Sequence, residues 1–123
     1  MTITIELPLP PSANHAYFNV PGKGRRPSAK HAEWKREAGW LIKLARLTPL
    51  PTGRYSFSLL LPAMMYGDVD NRVKLVLDLL GPRGMRVTPD DKFARIDLVD
   101  RSGDVPSGRC IVSVSSVGVN SNL

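Results

Sequence analysis

Two short acidic groups hold the residues of this chain best suited to chemistry. The first is Asp68-Val69-Asp70-Asn71, with Lys74 following; the second is Asp90-Asp91, inside Thr88-Pro89-Asp90-Asp91-Lys92. A helix starting near Val69 puts Asp70 and Lys74 at i and i+4, on one face. Asn71 and Asp78 lie on the same polar arc, and Asp68, just before the helix, can lean toward Asp70. Carboxylates this close repel one another, and a divalent cation offsets that repulsion. An all-oxygen donor set suits Mg²⁺. If the two groups meet at one end of a sheet, they suit metal-assisted phosphodiester hydrolysis, with water activated and the leaving oxygen stabilised. Lys74 would neutralise charge that builds in the transition state. The same residues also have plain structural uses. Asp at a helix N-terminus caps free N–H groups, Lys74 can be a simple ion-pair partner, and Pro-Asp-Asp is good turn chemistry.

Other chemistries find little support. The single cysteine, Cys110, sits in the apolar run Cys110-Ile111-Val112 and reads as a buried thiol in a reducing compartment. His15 and His31 lie outside any metal-binding spacing and read as surface groups. No Gly-rich loop matches a nucleotide-binding fingerprint. The 123 residues, 42% of them hydrophobic, suit one domain over 1–123. Lys and Arg total 17 against 11 Asp and Glu, a net charge of +6. A small basic domain attracts polyanions, nucleic acid first among them. The apolar runs are too short to cross a bilayer, and the start lacks the pattern of a signal peptide. A cytoplasmic protein with no membrane partner is expected.

Alternation and helical spacing define the elements that must position these groups. Ile3, Ile5, Leu7 and Leu9 alternate with polar residues, a half-buried strand that ends among Pro8, Pro10 and Pro11. Residues 10 to 27 read as a long loop carrying a basic finger, Lys23, Arg25 and Arg26. Ser28 is the expected N-cap of a helix running to about Arg46, with Trp34, Ala38, Leu41 and Ala45 facing the core. Tyr55, Phe57, Leu59 and Leu61 mark a second strand. A second helix spans roughly 69 to 80, on the stripe Val69, Val73, Val76, Leu77 and Leu80, and Gly81-Pro82 stops it. Leu75 and Leu79 form a second apolar patch, which fits either a dimer contact or helix packing within one chain. Two short strands, around Ile96 and Leu98 and around Cys110, Val112 and Val114, close the domain. The tail 118–123 is expected to fray. The pattern implies an α/β (α+β) domain, a small mixed sheet of about four strands with two helices on one face.

Three segments then resemble one family. Leu7-Pro8-Leu9-Pro10-Pro11-Ser12-Ala13-Asn14 is similar to the L-P-x-P-P-S-x-N start of RusA-like Holliday junction resolvases. Asp68-Val69-Asp70-Asn71-Arg72-Val73-Lys74 resembles that family's D-x-D-N-x-x-K segment, and Thr88-Pro89-Asp90-Asp91 its second acidic pair. The order and spacing fit over about residues 3 to 117. The resemblance implies a compact homodimer that nicks opposing strands of four-way DNA junctions with Mg²⁺ or Mn²⁺. It makes Asp68, Asp70 and Asp91 metal-binding catalytic acids and Lys74 the catalytic lysine, with Asn71 and Asp90 as possible support. One stretch departs from the pattern. Some members carry a basic run before the first acidic motif, where this chain has Ala63-Met64-Met65-Tyr66-Gly67. DNA contacts are then expected from Asn14, Lys23, Arg25, Arg26 and Lys30, with Arg36 a further candidate. The competing readings are a non-catalytic nucleic-acid-binding module, with the acids as caps and turns, and a metal nuclease acting on flaps or RNA.

Overall fold

Alternation over 2–8, 55–62 and 109–116 builds three strands of one sheet, and the largely exposed segment 94–102 adds a fourth. A computed structural model describes residues 1–65 and 67–117; the tail 118–123 lies outside them. In chain order the elements are β1 (Thr2–Pro8), α1 (Ala13–Ala16), β2 (Tyr17–Val20), β3 (Gly24–Pro27), α2 (Ala29–Ala45), β4 (Tyr55–Pro62), α3 (Asp70–Leu80), a 3₁₀ turn at Asp91–Phe93, β5 (Ala94–Ser102) and β6 (Arg109–Ser116). The main sheet has the order β1-β6-β4-β5, with β4 and β5 parallel and the other neighbours antiparallel. A parallel pair needs a crossover connection, and α3 lies on it. The expected mixed four-stranded α/β arrangement is therefore present.

One sheet face is apolar. Leu7, Phe57, Leu59, Leu61, Val112 and Val114 are buried there with Trp34, Ala38 and Ile42 of α2 and Leu75, Val76, Leu79 and Leu80 of α3. The other face carries Thr2, Thr4, Ser56, Ser58, Ser113 and Ser115, with Thr4 and Ser113 hydrogen-bonded at 3.1 Å. Ser28 caps α2 as expected, accepting the His31 N–H at 3.1 Å. The α2 stripe turns slightly from its expected course, burying Ile42 and leaving Ala45 exposed. Leu75 and Leu79 are buried within the chain, so packing between elements of one chain accounts for that patch.

The expected loop at 10–27 is more ordered than its composition suggests. It contains the short helix α1 and a hairpin, β2 against β3, whose Tyr17 pairs with Pro27 and Val20 with Gly24. Gly22 and Gly24 have positive φ, the conformation glycine adopts at no steric cost and the one a tight turn needs. The Ser28 N–H donates to the Ala16 carbonyl at 2.8 Å, closing the hairpin at its root.

Candidate functional site

The start of α3 is held by Asp68. Its Oδ2 accepts the Asn71 N–H at 2.8 Å, and its Oδ1 accepts the Ala13 N–H at 3.1 Å. These donors, Ala13 first, hold the Asp68 carboxyl below the usual carboxylate range. Asp68 thus caps the helix and ties α1 to it, with both carboxylate oxygens turned to backbone N–H groups and not to Asp70. Beside it Arg72 is buried, and sequence reasoning missed it. Its Nε donates to the Pro10 carbonyl at 2.9 Å and its Nη1 to the Asp68 carbonyl at 3.0 Å. Its signal was position: a cation one helical turn past Val69 and one turn before Leu75 and Val76, within the apolar arc. Gly67 is close-packed here, since a Cβ on it would lie 2.7 Å from the Ser12 Cβ.

Lys74 pairs with Asp78 at 3.8 Å rather than with Asp70, and both side chains are largely exposed. Lys74, Asp78, Asp90 and Asp91 line one cavity of about 550 Å³, together with His31 and Lys35 of α2 and Arg83. Asp90 accepts the Lys92 N–H at 3.1 Å, which keeps its carboxyl below the usual range. The neighbouring Asp90 carboxyl pushes that of Asp91 up, with Lys74 opposing that rise. The turn expected of Pro-Asp-Asp is therefore present, and Asp90 caps it. His31 is buried, not superficial: it packs edge-on to Tyr17 at 5.3 Å between ring centroids. Burial, then Lys35, lowers its pKa.

The two acidic groups do not meet at one end of the sheet. Asp68 and Asp70 follow the C-terminal end of β4, whereas Asp90 and Asp91 precede the start of β5. Because β4 and β5 are parallel, with Tyr55 level with Ala94, these are opposite ends of the β4–α3–β5 unit. Burial first, and also the carboxylates of Asp91 and Asp90, push the Tyr55 phenol up, which fits their place at the Tyr55 end. Along α3, Asp70, Lys74 and Asp78 form a stripe with roughly 6 Å between successive members. Among the described residues no group of three or more His, Cys, Asp or Glu lies close enough to hold a metal ion. The donor chemistry is that of a hard cation, yet the set Asp68, Asp70 and Asp91 is not assembled within one chain.

The expected DNA-contacting residues stand on the α1–hairpin–α2 side. Asn14 is exposed on α1, Lys23 lies in the hairpin turn, Arg25 and Arg26 are on β3, and Lys30 is exposed in the first turn of α2. No ion pair among the described residues involves these cations. No helix among the described residues is long and apolar enough to cross a membrane. In comparisons with known proteins, no family model matches the chain and no curated protein matches it.

Proposed function

We propose that this chain is a divalent-metal-dependent endodeoxyribonuclease that resolves four-way DNA junctions by paired nicks, acting as a homodimer in the cytoplasm. The observation that carries the reading is the shared cavity of Lys74, Asp78, Asp90 and Asp91, a lysine set among carboxylates on the exposed flank of α3. Bound Mg²⁺ or Mn²⁺ would supply an activated water and a clamp on the leaving oxygen. The residues of the chain do the positioning. Lys74 offers a mobile ammonium to the developing charge on phosphate. Asp70, a turn away, stands free of any cap. Lys23, Arg25, Arg26 and Lys30 attract the DNA backbone.

A homodimer answers the separation of the acids. β5 is an edge strand, and Ile96 and Leu98 on it are 48% and 47% exposed. A two-fold copy paired antiparallel along β5 sets the start of one β5 beside the end of the other. Asp90 and Asp91 of one protomer then approach the end of the unit that carries Asp68 and Asp70 in its partner. Both helix layers stay on one face of the joined sheet, and two equivalent sites result, as paired nicks require.

The competing reading, a non-catalytic binding module, draws on the two backbone N–H groups that Asp68 already accepts. Cleavage of a synthetic four-way junction by purified protein, with Mg²⁺ and then with EDTA, decides between them. Paired nicks that require metal support the nuclease. Binding without nicks under Mg²⁺ or Mn²⁺ supports the module. Parallel duplex, flap and RNA substrates test the choice of junction.

A further inference from the structure

The β2–β3 hairpin pairs with no other strand among the described residues. β3 is exposed along its whole length. On β2, Phe18 is 52% exposed and stands directly opposite Arg26, while Asn19 stands opposite Arg25. The Arg25 guanidinium lies 4.2 Å from the centroid of the Tyr17 ring, which itself rests against buried His31. The sequence holds no Asp or Glu between Glu6 and Glu33, so the positive charge of Lys23, Arg25 and Arg26 is locally unopposed. Phe18 takes no part in the hydrophobic core of the described residues. An exposed ring beside these cations does match the chemistry of single-stranded nucleic acid, where cations track the phosphates and an aromatic ring takes a base face.

We infer that the hairpin is a stacking surface for an unpaired base, with Phe18 taking the base, Arg26 and Lys23 the flanking phosphates, and Arg25 bracing the opposite face of the ribbon against Tyr17. Paired duplex presents no free base face, so this surface selects DNA that is open at a branch. The ribbon is anchored close to the acidic motif. Its root, Ala16, ends the four-residue helix whose first N–H, that of Ala13, donates to Asp68. From that root the ribbon reaches roughly 13 Å, four residues of extended chain. The inference rests on the proposed function, and it names the part of the branched substrate that the surface reads.

The test compares wild type, Phe18→Ala and Phe18→Trp, without divalent metal so that cleavage plays no part. The probes are a single-stranded oligonucleotide, a matched duplex and a four-way junction with 2-aminopurine at the branch. Phe18→Ala is expected to weaken single-strand binding about 5- to 100-fold. Duplex affinity should stay within about two-fold, because the phosphate contacts remain. The 2-aminopurine fluorescence rise should disappear in Phe18→Ala, and Phe18→Trp should restore the lost single-strand affinity. Equal losses on single strand and duplex, or an unchanged fluorescence rise, overturn the inference. So does a wild type that binds none of the probes. The two readings fail separately. Junction cleavage with no effect at Phe18 removes the stacking surface alone, and selective loss at Phe18 with no cleavage under any metal removes the nuclease alone.

Discussion

One oxygen of the Asp68 carboxylate accepts the Ala13 N–H at 3.1 Å, joining residues 55 apart in sequence, while the other accepts the Asn71 N–H at 2.8 Å. Removing that carboxylate frees two backbone donors. Asp68→Ala should therefore destabilise the fold by about 1–3 kcal/mol, and Asp70→Ala by clearly less, since the Asp70 side chain makes no hydrogen bond or ion pair with another described residue. The donors depress the pKa of Asp68, so its stabilisation is present at neutral pH and fades as pH falls through that lowered value. Urea unfolding at about pH 7 and again at about pH 3 should show a gap between wild type and Asp68→Ala that narrows in acid. A gap of the same size at both pH values would place the effect elsewhere.

Arg72 is 6% exposed, and its guanidinium serves two carbonyls, those of Pro10 and Asp68. Arg72→Met fills much of the space but strands both acceptors, at a cost of about 2–3 kcal/mol. Arg72→Lys should rescue only part of this, because one ammonium does not reproduce the planar fork. Urea midpoints order the three proteins. A lysine variant as stable as wild type would show that only the charge matters.

Cys110 is fully buried, and burial pushes its thiol up to about 12 from an ordinary value of 9.0. A raised pKa means that the folded state holds the proton more tightly than the unfolded chain. The associated stability is complete below pH 9 and is lost progressively as pH rises toward the folded value, by at most about 4 kcal/mol. Cys110→Ala should lower stability at neutral pH through the small cavity it leaves. It should also show a flatter decline above pH 9. Parallel declines would mean that other groups govern the alkaline limb.

The elements that bury one face were legible because their periods are clean. Tyr55, Phe57, Leu59 and Leu61 alternate without exception, and all four are fully buried. The segment 10–27 was not legible, because its hairpin buries almost nothing. Phe18 and Arg26 pair on an exposed face, only the end residues Tyr17 and Val20 of β2 are half-buried, and such a ribbon leaves no apolar alternation to read. His31 was misread for a related reason. Its burial comes from contact with Tyr17 in that same unread segment. The acidic residues were legible as types and spacings, but their placement depends on topology. Only the parallel pairing of β4 with β5 shows that Asp70 and Asp91 stand at opposite ends of one crossover.

Asp70 and Lys74 separate chemistry from binding. Asp70→Asn removes a metal-ligating carboxylate without removing a cation, so cleavage should fall at least about a hundredfold while junction affinity holds. Lys74→Ala should lower the single-turnover rate more than it weakens binding. It also frees Asp78, so Lys74→Ala with Asp78→Asn checks whether a stray carboxylate causes the loss. If Lys74→Ala lowers rate and affinity equally, the lysine is a phosphate anchor and not a transition-state group.

Mixing two dead variants tests whether the sites are shared between protomers. In Asp70→Asn and Asp91→Asn homodimers both sites are damaged. If each site takes Asp70 from one protomer and Asp91 from the other, a mixed dimer holds one intact site and one with both changes. Exchange of subunits should then restore single-strand nicking to about a quarter of the wild-type site count, since half of the dimers are mixed and each has one good site. If each site lies within one protomer, every site in the mixture keeps one lesion and no nicking returns. Charging Ile96 and Leu98 should abolish the recovery, because it closes the β5 edge to a second copy. Recovery that survives those charges would keep the shared site but move the contact to another surface.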